Sequence, residues 1–300
     1  FMKQQIKSSL ILLLTATIWG VAFVAQSVGM EYIGPFTFNA IRCVLGGLVL
    51  IPVILVLKKK KDTGAENQEK EDKKTLWAGG IACGVILCIA SNLQQFGIME
   101  ASVGKSGFFT ALYIVMIPVI GIFIGKRPGI KLWFCVALAV VGMYLLCMKD
   151  GSFTIERADI MLLLCALAFS FHILVVDYFS PRVDGVKMSC IQFFVCGVLS
   201  AVGMLFTETP DISNIQAAWL PLLYAGLLSC GVGYTLQIVG QKGINPVIAS
   251  LIMSLESVIS ALAGWVILGQ VLSPKEILGC VLMFVAIIIT QIPIGNKKTD

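Results

Sequence analysis

Charge is what this chain has least of. Only 13% of its 300 residues are Asp, Glu, Lys or Arg, and 58% are hydrophobic; soluble domains carry about 25% charged residues. So few charges cannot cover a soluble core of this size. Histidine is scarcer still: His172 stands alone, which excludes a His-rich metal centre. No HExxH, no GxSxG and no paired intramembrane aspartates occur, so the chain does not read as an enzyme. None of the ten cysteines sits in a CxxC pair or on a polar loop. Neither a disulfide framework nor a zinc site is indicated, and no metal or other cofactor is expected. The net charge of +5 is spread over loops rather than gathered in a folded basic domain, so nucleic acid is not an expected partner. Gly104-Lys105-Ser106 resembles the tail of a phosphate-binding loop, but Met99 stands where that loop needs its first glycine.

Long apolar runs are what the chain has instead. Each is about twenty residues, enough for a helix to cross a roughly 30 Å hydrocarbon layer. Ten spans are predicted, at 8–28, 35–57, 76–98, 103–124, 130–147, 158–178, 187–206, 217–239, 246–268 and 274–293. The first reads as a retained helix rather than a signal peptide, because Gly29-Met30-Glu31 follows it in place of a small-residue cleavage site. With the N-terminus in the cytoplasm, 17 of the 22 basic residues fall in cytoplasmic segments, among them Lys58 to Lys61, Lys126, Arg127 and Lys242. The positive-inside rule then puts both termini in the cytoplasm. An integral protein of a bacterial cytoplasmic membrane is expected, in contact with lipid, as monomer or homodimer. The segment 58–75 is too charged to bury apolar surface and reads as a cytoplasmic linker.

The chain also resembles itself. At an offset of 150, Leu12-Leu13-Leu14 meets Leu162-Leu163-Leu164, Ala16 meets Ala166 and Gly47 meets Gly197. Past the linker the offset is 142, where Trp77 meets Trp219, Gly84 meets Gly226, Cys88 meets Cys230 and Gln95 meets Gln237. Further on it is 144, with Gly125 meeting Gly269 and Lys131 meeting Lys275. The expected fold is therefore an all-α membrane protein of ten transmembrane helices, built as two five-helix repeats, 1–148 and 149–300. Five is odd, so the second repeat enters the membrane inverted, the arrangement of secondary transporters with a site near the midplane.

"LLLTATIWGVAFVAQ" followed by "GPFTFNAIRCVLGG", with Trp19-Gly20, Pro35 and Arg42, resembles the first two helices of the EamA-type drug/metabolite transporters. "SLESVISALAGWVILG", with Leu255-Glu256-Ser257, resembles that family's ninth helix. The resemblance covers nearly the whole chain. It departs at Lys126 and Gln270, where an acidic residue is frequent, and at Tyr113 and Ser257, where proline is frequent. It implies a ten-helix transporter working by alternating access, with a cavity lined by the first, third, fourth, sixth, eighth and ninth helices. Known members move amino acids, other small metabolites and some toxic organic compounds, often outward.

Polar residues at membrane depth are costly and mark candidate sites. Glu256 lies near the centre of its span, as a substrate contact or proton carrier, or as a helix tie. His172 is a second proton-coupling candidate, with helix packing as its alternative. Lys105 either snorkels to the headgroups or faces the cavity to bind a carboxylate. Arg42 reads as a structural intramembrane charge. Cys88, Asn92, Gln95 and Met99 form one helical stripe, and Cys230, Tyr234, Gln237 and Gln241 repeat it; Asn92, Gln95, Tyr234 and Gln237 are expected to line the cavity. Trp19, Phe109, Tyr113 and Trp265 offer an apolar wall. The expected function is secondary transport of small organic metabolites, amino-acid-like or related solutes, with export as the expected direction. A proton gradient would drive it through Glu256, while exchange or facilitated diffusion fits the same sequence; a lipid scramblase or channel is the alternative.

Overall fold

The computed structural model describes residues 2–62, 72–101, 103–125, 128–147, 156–268 and 273–291. Part of the charged linker, residues 63–71, and the last nine residues lie outside the described residues. The described chain is helical, with no strand among the described residues. That suits the medium: hydrocarbon offers no water to the backbone, and a helix pairs each N–H and C=O within its own segment.

The first half contains α1 (Met2–Gly29), α2 (Pro35–Asp62), α3 (Lys73–Glu100), α4 (Val103–Ala111), α5 (Tyr113–Phe123) and α6 (Ile130–Cys147). The second contains α7 (Arg157–Phe179), α8 (Gly185–Thr207), a short α9 (Ile212–Ala217), α10 (Trp219–Leu223), a π-helical segment (Tyr224–Tyr234), α11 (Thr235–Gln241), α12 (Pro246–Met253), α13 (Glu256–Leu268) and α14 (Pro274–Gln291). Among the described residues, eight stretches are long and apolar enough to span a membrane: α1, α2, α3, α4 with α5, α7, α8, α10 through α11, and α12 with α13. The apolar stretch Ile130–Leu145 in α6 is shorter and packs along α14. Phe123, Ile130, Phe206 and Val266 are exposed on the outside of the bundle, where lipid tails cover apolar side chains. Trp265 is also on this outer surface, so it does not join an internal apolar wall; Phe109 is buried in the core instead.

The packing has the two-fold order that two inverted repeats impose. α2 packs on α8 and α6 on α14, pairs that a two-fold rotation exchanges with themselves. α3 packs on α7 just as the eighth span packs on α1. Individual contacts repeat as well. A Cβ on Gly84 would meet Val195 at 2.6 Å, and one on Gly226 would meet Leu45 at 2.8 Å; Val195 and Leu45 are themselves equivalent at the offset of 150. Both glycines are therefore the close-approach points of matching helices, held at an offset of 142.

Beyond the π-helical segment the register changes by one. A Cβ on Gly97 would meet Leu162 at 2.5 Å, and one on Gly240 would meet Leu12 at 3.0 Å. Leu12 and Leu162 are equivalent, so Gly97 matches Gly240, an offset of 143. The hydrogen bonds agree. Asn39 Nδ2 donates to Asn92 Oδ1 at 2.9 Å, and Thr235 Oγ1 donates to Ser189 Oγ at 2.9 Å; Asn92 to Thr235 is again 143. The extra residue lies within Cys230-Gly-Val-Gly-Tyr-Thr235, set against Cys88-Ile-Ala-Ser-Asn92. A π-turn closes i→i+5 rather than i→i+4 and so absorbs one residue without leaving the helix. The pairing of Gln95 with Gln237 is thereby corrected: the counterpart of Gln237 is Gln94.

Two spans are broken. The fourth interrupts at Leu112, between α4 and α5, and the ninth at Ser254 and Leu255, between α12 and α13. The second halves begin at Tyr113 and Glu256, again 143 apart. In the ninth span Ser250, Ser254 and Ser260 each donate to a carbonyl three residues back, at 2.8 to 2.9 Å. Such side-chain bonds compete with the regular helical ladder. Nothing in the sequence at Leu112 explains the matching break in the fourth span.

Candidate functional site

A narrow cavity of about 30 Å³ lies where the two halves meet, room for about two waters. Its walls come from α1, α2, α3, α4, α5, α7, the π-helical segment, α11 and α13. These are the six spans that the resemblance implied, together with the second. Four pairs of equivalent residues line it: Trp19 with Phe169, Phe23 with Ile173, Gln94 with Gln237, and Tyr113 with Glu256. Residues related by a two-fold can share a wall only near the axis, so the cavity is axial. Ala22, Gln26, Arg42, Thr110, Ser229 and Tyr234 complete it without matched partners.

Glu256 is 4% exposed and begins α13. Tyr113, first residue of α5, donates its hydroxyl to Glu256 Oε1 at 3.1 Å. The two helix breaks thus deliver their first side chains to each other, across the axis. Discontinuous helices that present their ends to a midplane site are a recurring transporter device.

Arg42 is 2% exposed and donates from Nη1 to Gln26 Oε1 at 2.8 Å, while its Nε has no partner. The bond to Gln26 ties α2 to α1, as a structural charge would, yet the guanidinium also faces the cavity. The described hydrogen bond of Arg42 goes to Gln26 and that of Glu256 to Tyr113, so the guanidinium and the carboxyl are each held by a neutral partner. The same cavity carries an aromatic pair. The rings of Trp19 and Tyr234 lie 4.6 Å apart, and the Trp19 indole N–H points to Ser229 O at 3.4 Å. Gly233 is required there, because a Cβ would meet Trp19 Nε1 at 2.8 Å. Gln94 Nε2 reaches Thr110 Oγ1 at 3.5 Å, and Gln237 Oε1 is buried without a donor.

The structure thus brings Trp19, Tyr113, Tyr234, Gln237 and Glu256 together, with Arg42. It does not bring Asn92 or Gln95 to them. Asn92 is engaged at the junction of α2, α3 and α8, donating to Cys88 O at 2.8 Å and Ser200 Oγ at 3.0 Å. Gln95 is fully buried away from the cavity wall, and Met99, at the end of the same stripe, is exposed on the outer surface. The physical reason is the register: without a π-turn, α3 presents its stripe one residue away from the face that its counterpart presents. Lys105 falls in the first turn of α4, and its side chain lies outside the described residues. His172 is fully buried behind the wall, its Nε2 3.0 Å from Gln192 Oε1 and its ring 6.0 Å from that of Tyr234. Gln26, Gln94 and Thr110 were missed. Gln26 and Gln94 were legible as polar residues at membrane depth; Thr110 carries no comparable signal.

The sequence profile of the EamA-like transporter family matches the chain twice, over residues 6–148 and 156–292. An "Uncharacterized transporter" of Archaeoglobus fulgidus is 27% identical over 94% of this chain and 84% of its own length. The "Uncharacterized transporter YwfM" of Bacillus subtilis is 23% identical over 97% and 96%. A solved crystal structure covers 95% of this chain and 96% of its own with a TM-score of 0.76 at 18% identity, a likeness of fold. With both halves matched, the chain belongs to the EamA-like transporter family and is an integral membrane transporter of the drug/metabolite type.

Proposed function

We propose that the protein is a secondary transporter that carries small amino-acid-like organic solutes outward by alternating access, binding them in the axial cavity. The observation that carries this reading is the set of unmatched groups in that cavity: the guanidinium N–H of Arg42 and the carbonyl of Gln237, both buried without partners. A buried polar atom left unpaired costs about 1–3 kcal/mol, so a solute that supplies an acceptor to one and a donor to the other recovers that cost. Glu256 and Arg42 give the site one acidic and one basic pole, and Trp19, Phe169 and Tyr234 give it apolar surface. A solute with a carboxylate, an amine and a modest side chain meets all three.

The two halves, residues 1–148 and 149–300, would rock about the axis on which the cavity lies. Glu256 is the proposed proton carrier, since Tyr113 donates to it directly; His172, one layer behind Tyr234, is the second station. The concentration of Lys and Arg on the face of the termini supports a cytoplasmic location for both ends. A bacterial cytoplasmic membrane is the proposed setting, in keeping with relatives from Bacillus subtilis.

The test is a thermal-shift screen of purified protein against amino acids, nucleosides, sugars and organic cations, run in parallel on Glu256→Gln. A ligand that binds only the folded state raises its apparent stability by mass action. Amino-acid-like compounds are expected to shift the wild type and to lose that shift in the variant. An equal shift in both proteins removes Glu256 from the site, and shifts by lipid-like compounds alone would turn the reading toward a scramblase.

A further inference from the structure

Four cysteines stand in a row between the halves, outside the cavity wall. Cys43 on α2 and Cys196 on α8 place their sulfurs 3.4 Å apart, each 1% exposed or less. Cys230 of the π-helical segment lies beside Cys43, and Cys88 of α3 beside Cys196. The row thus runs Cys230, Cys43, Cys196, Cys88, with two thiols from each half. Among the described residues no group of three or more His, Cys, Asp or Glu has the arrangement to hold a metal ion. Thiol chemistry remains. Cys88 is only partly buried, so a small neutral oxidant meets the row at that end, and exchange with its neighbours carries the reaction inward.

We infer that Cys43 and Cys196 are a redox pair, which a two-electron oxidant converts to a disulfide tying the first half of the transporter to the second. In the step the two thiols give up their protons, a sulfur–sulfur bond forms, and two electrons pass to the oxidant. With diamide as oxidant, its N=N bond takes up both electrons and both protons and becomes the hydrazine. Because α2 and α8 come from opposite halves and meet at the axis, the bond fixes the crossing about which the halves are arranged. The inference goes beyond the transport reading and stands on the thiol geometry alone.

The full-length wild-type protein, in lipid nanodiscs, is treated with diamide, denatured, and its free thiols are capped with a maleimide–polyethylene glycol. Two of the ten thiols are expected to escape capping, and dithiothreitol should restore them. Mass spectrometry of the digest should join the Cys43 peptide to the Cys196 peptide. Ten capped thiols after oxidation, or a linkage that maps chiefly to another pair, would overturn the inference. Cys43→Ala should lose this linkage, whereas Cys83→Ala, which removes a buried thiol packed apart from the row with Leu76 and Val176, should keep it. Since the wild type alone supplies the mapped linkage, a poorly folded variant does not decide the outcome.

Discussion

α3 and its counterpart in the second half begin alike and end differently. α3 is preceded by Asp72, whose carboxyl accepts from Lys74 N, and the short α9 that leads into the eighth span by Asp211, which accepts from Ser213 N. Each has an exposed tryptophan near its start, Trp77 and Trp219. α3 then continues as an α-helix to Glu100, while its counterpart passes through eleven residues of π-helix. One extra residue turns the polar stripe of the second half, Tyr234 and Gln237, onto the cavity. In the first half the same stripe meets α2 and α8, and only Gln94 reaches in. Two repeats of one architecture thus present a packed face and a cavity-lining face, and one π-turn separates them.

The most severe way to break the comparison is to shift that register. Inserting an alanine between Thr235 and Leu236 should carry Gln237 one position along the helix, to the place equivalent to that of Gln95. Ligand-induced thermal shift should disappear while helical content by circular dichroism is retained; a retained shift would mean that the π-turn does not set the binding face. Next come point substitutions on the two faces. Gln94→Ala and Gln237→Ala should each weaken binding about tenfold, the equivalent of roughly 1.4 kcal/mol and of one hydrogen bond to ligand. Gln95→Leu should leave binding unchanged and hold or raise the melting temperature, because both polar atoms of Gln95 are buried without partners. Titration calorimetry of the three variants separates these outcomes.

A smaller effect is expected where the halves differ in capping. Asp184 caps α8 from its own half, accepting from Val186 N at 3.0 Å, whereas α2 is capped across the axis by Glu208, which accepts from Phe36 N and Thr37 N at 2.8 Å. Glu208→Ala should cost about 1–2 kcal/mol, the range of N-cap losses, read as a lower melting temperature with ligand affinity preserved. The smallest effect concerns the caps that match. The hydroxyl of Thr75 and the N–H of Lys74 hold the Asp72 carboxyl below its ordinary range, and the hydroxyl and N–H of Ser213 do the same for Asp211. A depressed carboxyl stabilises the fold above its unfolded pKa and loses that contribution as pH falls through the folded value. The difference in melting temperature between wild type and the double variant Asp72→Asn with Asp211→Asn should therefore be greatest near neutral pH and shrink below about pH 4.

The sequence carried most of the architecture. Runs of apolar residues located the spans, because a helix satisfies its own backbone in hydrocarbon, and the drifting identities revealed the repeat. Glu256 was legible as a carboxyl at membrane depth and Trp19, Tyr113, Tyr234 and Gln237 as aromatic or polar residues on inward faces. What the sequence withheld was register. Identities such as Gln95 with Gln237 align without a gap, and a π-turn adds a residue without breaking the apolar pattern. Its one trace is Gly231-Val-Gly233 inside a span, where small residues let Trp19 approach. The helix breaks were hidden for a related reason. Tyr113 and Ser257 stand where proline would have announced them, so the meeting of Tyr113 with Glu256 emerged only in three dimensions.

The central claim is that the axial cavity is a transport site, and flux tests it most directly. Proteoliposomes loaded with the ligand found by thermal shift should take up labelled ligand by counterflow. The uptake should saturate, distinguish amino-acid-like solutes from sugars, and fall to the level of empty liposomes with Glu256→Gln. Uptake that rises linearly with concentration, or that survives Glu256→Gln unchanged, would contradict the claim.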